Sequence, residues 1–448
     1  MLKIVETPEE FNNFITESAG YDWLIVPTYS HGSKSVYTDQ LSIIYVYVLY
    51  ADKEYVLVYN HTEGLNLPME TINDFPEDVK LFVHNKKRFL NFSNRKNLID
   101  IDLIEYFRKN TSIEEDFETT AHEFFLKSFS MFSNLNCIIP IVKHIEKAQS
   151  IRNKFLDLFE FIDESESFNR YNQLMIENFH EIEKAGMYVD EKELHTFYPD
   201  YPVQNNMVYT EYNMYTSTGR PSNRFNGINF AALNKESGIR KAFASRFPEG
   251  YLVSFDYESY HLRLLAELVD YDFPKTSVHE YLGKLYFQKE SLTPEEYKES
   301  KSITFRQLYG GISDELKSVP FFAKIIEYTK LLWESYRRDG YIETPMFHRK
   351  LDNSFLTDQN PSKLLNYLLQ AFETERNSAV IHNVLQRIQS FDTKLILYTY
   401  DSFLFDFNKN DGTDLIKTIK KELEQSGKYP VKIEIGKQYQ DLVEIKRK

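Results

Sequence analysis

Short apolar blocks rich in Val, Ile and Tyr fall at 21–26, 42–50, 53–59 and 80–85, each closed by polar or turn-forming residues, which predicts strands interleaved with short helices. Residues 1 to about 110 therefore read as an α/β region. From about 112 to 187 apolar positions recur at helical spacing, most clearly over 138–159 and 173–185, with Gly186 as the stop. This predicts a helical connector or a helical domain of its own. Pro202, Gly219, Pro221 and Gly227 then mark 200–227 as loops and short strands.

Three later segments carry candidate chemistry. A β-rich run at 251–257 passes into Leu262, Leu265 and Leu268 at helical spacing, so Asp256 falls where a strand gives way to a helix. A carboxylate there can hold a hard divalent cation, and taken alone it can equally be a helix cap. Two β-rich runs at 394–407 flank Asp401 and Ser402, predicting a hairpin with Asp401 at or near its turn. An ordinary turn aspartate is the alternative. Two such aspartates on neighbouring strands could bind two Mg²⁺ ions for phosphoryl transfer. In 291–311, Thr293, Pro294 and Glu296 form a capping box and Gly310-Gly311 stop the helix. Lys301, Phe305 and Tyr309 lie four apart, each about 40° from the last, and span about 12 Å of one face. That face suits a phosphate, a sugar and a base, although a core stripe with a snorkelling lysine has the same spacing.

Composition narrows the setting. A chain of 448 residues with 42% hydrophobic side chains can pack two or three domains. The single cysteine, Cys137, cannot close an internal disulfide, and no apolar leader or spanning run occurs, so a reducing, cytoplasmic location without membrane contact is expected. The net charge of -14 places any basic surface locally. Between 216 and 250 the chain has Arg220, Arg224, Lys235, Arg240, Lys241 and Arg246 against only Glu236 and Glu249.

In this order, the three segments resemble motifs A, B and C of the family A DNA polymerases. Further strings agree: ThrSerThrGlyArgProSerAsn at 216–223, IleArgLysAlaPhe at 239–243, GlyTyrIleGluThr at 340–344 with Arg349-Lys350 after it, AsnTyrLeuLeuGln at 366–370, and HisGluIleGluLysAlaGlyMetTyrValAsp at 180–190. The resemblance covers about 181–448. It implies an α/β and α+β multidomain chain with a right-hand polymerase fold, the palm at 191–270 and 346–448 and the fingers at 271–345. Asp256 and Asp401 would be metal-binding and catalytic, with the Tyr257 carbonyl a further candidate ligand and two Mg²⁺ ions, replaceable by Mn²⁺, as cofactors. Lys301 would hold the α-phosphate, and Phe305 and Tyr309 would border sugar and base. Arg263 is a further candidate at the nucleotide. Arg220, Arg240, Arg349, Asn366 and Gln370 would meet the primer–template, checking pair geometry rather than sequence.

The chain departs from that family in places. The glutamate expected five residues after Asp256, which excludes ribose, is His261; the triphosphate-binding arginine expected four before Lys301 is Tyr297, with Lys298 beside it as a candidate substitute. Tyr400-Asp401-Ser402 replaces the usual His-Asp-Glu, and Phe305 predicts poor use of dideoxynucleotides. Residues 1–125 resemble a DnaQ-like exonuclease in outline, but Pro27-Thr28-Tyr29 stand at its first motif and Phe89 replaces the aspartate after His84-Asn85, so a degenerate domain without proofreading is expected. Residues 126–190 would be a connector or displaced thumb, because only 28 residues separate Asp190 from Gly219, where the family inserts long clamping helices. The expected function is template-directed DNA synthesis by a monomer of phage type, using a DNA primer–template and dNTPs, with a processivity or replisome protein as a candidate partner. The alternatives are a ribonucleotide-accepting polymerase and a non-catalytic primer–template binding protein.

Overall fold

The computed structural model describes residues 2–29, 40–95, 97–109, 139–162, 165–223, 228–274, 277–352 and 359–445, with the side chains of Lys109 and Tyr309 excepted. Cys137 and Arg224 lie outside the described residues, as does the side chain of Tyr309. Two compact units divide the chain, Met1–Lys184 and Ala185–Lys448.

The first unit is built on strands β1 (Leu2–Val5), β2 (Trp23–Tyr29), β3 (Leu41–Val48), β4 (Lys53–Val58), β5 (Leu81–Val83) and β6 (Leu98–Asp100), in the order β1-β4-β3-β2-β5-β6. Every residue of β2 and β3 is buried, which explains why both read as continuous apolar blocks: each strand is covered on both faces. Helix α1 (Pro8–Glu17) lays Phe14 on Trp23 and Tyr55, with ring centroids 4.9 and 4.8 Å apart. Register pairs Trp23 with Leu81 and Leu24 with Phe82, so the next packing contact lies on the opposite face. There, after α2 (Lys86–Phe89) and α3 (Ile101–Lys109), helix α4 (Ile141–Leu158) sets Phe155 against Phe82 at 5.3 Å. The helical stretch continues through α5 (Glu166–Arg170), a π-helical turn at Tyr171–Met175, and α6 (Ile176–Ala185). In the turn, Asn172 Nδ2 donates to the Leu98 carbonyl at 2.8 Å and its Oδ1 accepts from Asp100 N at 3.0 Å, fastening the helices to the edge strand.

The second unit opens with a small sheet of β7 (Met187–Val189), β8 (Met207–Val208) and β9 (Phe243–Ala244), and α7 (Glu191–Phe197) follows β7. Its main sheet is antiparallel. It comprises β10 (Tyr251–Tyr257), β13 (Lys394–Thr399), β14 (Ser402–Phe407), β15 (Val431–Gly436) and β16 (Val443–Glu444), in the order β13-β14-β10-β15-β16. Alternation along β10 sends Phe255 and Tyr257 to one face and Ser254 and Asp256 to the other. Phe255 is fully buried against Phe405, with centroids 5.4 Å apart, while Tyr257 stacks on Tyr260 at 4.1 Å. Helix α8 (Tyr260–Leu268) follows directly.

Between β10 and β13 come α9 (Val278–Phe287), α10 (Pro294–Gly310), α11 (Pro320–Asp339), a hairpin of β11 (Tyr341–Glu343) and β12 (Lys350–Asp352), and the long α12 (Pro361–Ile388); α13 (Thr413–Glu424) follows β14. The capping box at Thr293 and Glu296 forms as expected, and Gly311 ends α10 at φ 99°. Helices α9 and α10 approach closely at Gly283, where a Cβ would meet Leu292 Cδ1 at 2.6 Å and Ser300 Cβ at 2.8 Å. Ser300 Oγ donates to the His279 carbonyl at 2.8 Å across that contact. Among the described residues no helix is long and apolar enough to cross a membrane.

Candidate active site

The polar face of β10 forms one wall of a cavity of about 350 Å³. Asp256 stands on that wall. It caps no helix, because α8 begins after Ser259, a residue with left-handed backbone (φ 53°) and no side-chain capping bond. Asp401 lies in the β13–β14 turn beside Tyr400, whose φ of 65° makes the reversal without glycine. Asn377 Nδ2, from α12, donates to the Tyr400 carbonyl at 2.7 Å, and Tyr257 N donates to the Asp401 carbonyl at 2.9 Å. These bonds hold the turn at the end of β10, so both aspartates line one cavity.

Burial and then Asp401 raise the Asp256 carboxyl to about 7; burial and then Glu373 raise Asp401. Such a pair ionises together only with positive charge nearby. Among the described residues no group of three or more His, Cys, Asp or Glu side chains can hold a metal ion. Two carboxylates with adjacent carbonyls are a hard oxygen set of the kind that Mg²⁺ completes with water and substrate phosphates. The residues present fit that ion.

Helix α10 supplies the opposite wall through Tyr297, Lys301 and Phe305. The spacing of Lys301 and Phe305 does bring both to the cavity. The Lys301 ammonium sits 4.9 Å from the Tyr297 ring centroid, and Tyr297 OH lies 3.2 Å from Ser277 Oγ, the N-cap of α9. In the first turn of α9, His279 packs 5.7 Å from the Phe305 ring. Burial, then Lys301 and Lys432, lower the His279 imidazole to about 4.

His261 Nε2 lies 3.1 Å from Glu373 Oε1, and Arg220 Nε lies 3.0 Å from Glu373 Oε2. The Arg220 contact is an ion pair without the alignment of a hydrogen bond. Arg220 also stacks over Tyr400 at 3.7 Å. Glu373 is only 1% exposed, so the carboxylate that the His261 position lacks enters the site from α12. Asn366 and Gln370 lie on the same helix: Gln370 Nε2 donates to Asn366 Oδ1, and Thr218 Oγ1 donates to Gln370 Oε1, each at 3.4 Å.

Four expected residues lie outside the cavity lining. Lys298 is exposed and does not line the cavity, since the roughly 100° step from Tyr297 turns it away. Arg263 is half-buried outside the cavity lining and donates from Nε to the Glu258 carbonyl at 3.0 Å. Arg349 is 2% exposed and donates to the Ser217 carbonyl at 3.2 Å, bracing the loop that carries Arg220. Arg240 donates to the Leu233 carbonyl at 2.8 Å and packs over Tyr439. Tyr257 turns its hydroxyl into the interior, donating to the Leu423 carbonyl at 2.9 Å, although the residue borders the cavity.

His279, Glu373 and Lys432 line the cavity and are not singled out by the sequence motifs. His279 looks like an ordinary first-turn residue and Lys432 like the polar half of an alternating strand. Only for Glu373, within AlaPheGluThrGluArgAsn of a long apolar helix, does the run of charge hint at a buried network.

Known proteins share this organisation. DNA polymerase I of Synechocystis sp. is 24% identical over 274 residues, which take in 50% of this chain and 28% of that protein, so the chain spans under a third of the length of the relative it matches. The POL domain of Pol1 from M. smegmatis, in complex with DNA primer-template and dNTP, superposes with a TM-score of 0.74 at 14% identity, covering 98% of this chain and 100% of that one. This is a likeness of fold. The sequence pattern of DNA polymerase family A matches residues 108–441, about three-quarters of the chain, and the chain belongs to that family.

Proposed function

We propose that the chain is a template-directed DNA polymerase that adds deoxynucleotides to a primer 3′ end. The observation that carries this reading is the convergence of Asp256 and Asp401 with Lys301 and Phe305 across one cavity. The M. smegmatis domain of the same fold is described with primer-template and dNTP, which supports the same partners here.

In this reading Asp256 and Asp401 hold Mg²⁺, with Mn²⁺ able to substitute and the Tyr257 carbonyl as a further ligand. When bound, the ion lowers the pKa of an attacking hydroxyl and neutralises charge on the leaving oxygen. The primer 3′-oxygen forms a bond to the α-phosphorus, the bond from that phosphorus to the bridging oxygen breaks, pyrophosphate leaves and the hydroxyl proton is lost. Lys301 neutralises the α-phosphate, and Phe305 offers a flat surface to the sugar. His279, neutral at physiological pH, can donate one N–H to a phosphate oxygen. Asn366 and Gln370 face the minor groove of the product pair. Arg220 is held for the same groove by Glu373, and Arg349 acts through that loop as a positioning residue.

Proofreading is not part of the proposal. Pro27, Thr28 and Tyr29 stand at the position of the first exonuclease motif, where the Arg88 guanidinium stacks 3.8 Å from the Tyr29 ring. The His261–Glu373 pair motivates a second reading, in which the sugar site admits ribonucleotides.

Extension of a labelled primer on a DNA template with Mg²⁺, with dNTPs and rNTPs in separate reactions, tests both. Extension with dNTPs that Asp401→Ala abolishes is expected. Retained activity in that variant would sink the assignment, and equal use of rNTPs would establish the second reading.

A further inference from the structure

We propose that Lys432 is a phosphate-binding residue of the nucleotide site, taking the β- and γ-phosphates on the side of Asp256 away from Asp401. This rests on the polymerase reading. The sheet order β14-β10-β15 sets Ser402, Asp256 and Lys432 side by side in register, so Lys432 is the direct cross-strand neighbour of Asp256. Directly opposed residues on antiparallel strands share a face, with Cβ atoms about 5 Å apart. Lys432 accordingly lines the same cavity as the aspartates and Lys301.

Among the described residues its ammonium makes no hydrogen bond or ion pair. Glu434, two residues along on the same face, does not pair with it. Arg220, by contrast, is engaged by Glu373. Lys301, from the α10 wall, and Lys432, from the sheet, line one cavity with His279, and the charges of both lower its imidazole. Two ammonium groups without an acidic partner and a neutral N–H donor in one cavity make an anion site, where α10 presents the Tyr297 ring instead of a second cation. Its chemistry suits a phosphoryl group, whether from the triphosphate tail or from the nucleic-acid backbone, and adjacency to Asp256 favours the tail.

The test uses the full chain on a primer–template ended with a dideoxynucleotide, measuring affinity for the complementary dNTP and dNDP by titration and affinity for the primer–template by anisotropy. Lys432→Met is expected to weaken dNTP binding about tenfold, to erase most of the preference for dNTP over dNDP, and to leave primer–template affinity unchanged, while Lys432→Arg binds like the wild type. Equal dNTP affinity in Lys432→Met and wild type would overturn this assignment alone. A loss confined to primer–template affinity would assign Lys432 to a backbone phosphate and also overturn it. If the wild type binds primer–template but no dNTP, the polymerase reading falls and takes the assignment with it.

Discussion

Each unit gathers a pair of aspartates near a strand end, Asp100 with Asp102 and Asp256 with Asp401, and the two pairs live in opposite circumstances. In the first unit Asp100 Oδ2 accepts from Lys86 N at 3.1 Å and Oδ1 from Asp102 N at 2.8 Å, while Asp102 is bonded by the His84 ring and Asn85 N. The neighbouring cation is spoken for as well: Lys86 is fully buried, donating to the Asn172 carbonyl at 2.9 Å and pairing with Glu177 at 3.0 Å. In the second unit the Asp256 carboxylate has no hydrogen-bond donor among the described residues, and neither Lys301 nor Lys432 makes an ion pair there. Charge that the chain compensates internally is structural. Charge left facing a cavity of about 350 Å³ waits for a partner from outside.

Mutating the two pairs should separate them most sharply. Asp256→Ala is expected to reduce primer extension by about a thousandfold while leaving a cooperatively folded chain. Asp100→Ala should do the reverse: by stranding the Lys86 and Asp102 amides it should cost about 1–3 kcal/mol in urea unfolding, with extension per folded molecule retained. Folded Asp100→Ala protein without activity would break the comparison.

A smaller effect is expected from Gly283→Ala, which presses α9 against Leu292 and Ser300 and should destabilise the wall carrying His279 and Lys301 by about 1–3 kcal/mol. The dNTP affinity should fall with it, because α9 and α10 can no longer seat together. Unchanged affinity and melting temperature would show that the close contact is unnecessary.

The mildest signature is in pH. Asp256 is raised from an ordinary 3.8 to about 7, so the folded chain keeps a proton that the unfolded chain releases. The resulting stability is present at acid pH and lost as pH rises from about 4 through about 7, when no divalent cation is supplied. Mg²⁺ should shrink that loss and Asp256→Asn should flatten it, both read from urea midpoints. A slope that responds to neither would place its origin outside the cavity, where Asp100 and the buried Glu375 are also raised carboxyls.

Local patterns carried much of this. The apolar blocks located β2, β3, β4 and β10, the capping box located the start of α10, and its spacing of four brought Lys301 and Phe305 to one face. The same rules misdirect where a role depends on what lies across the fold. Lys298 follows Tyr297 in sequence yet points away from the cavity, and Arg349, adjacent to polar residues in the chain, is enclosed beneath the 216–220 loop.

The sequence by itself determined the elements, their caps, the strand-end position of Asp256, the turn at Asp401 and, through the ordered motifs, the polymerase family. These follow from steric and hydrophobic rules acting over a few residues. Tertiary structure alone decided that Glu373 answers His261 across 112 residues and that Lys432 stands beside Asp256. It also decided that Asp100 and Asp102 are satisfied within their unit while Asp256 faces the cavity without a donor. Cross-strand register and helix-to-sheet packing set those neighbours, and neither leaves a trace in the spacing along a single chain segment.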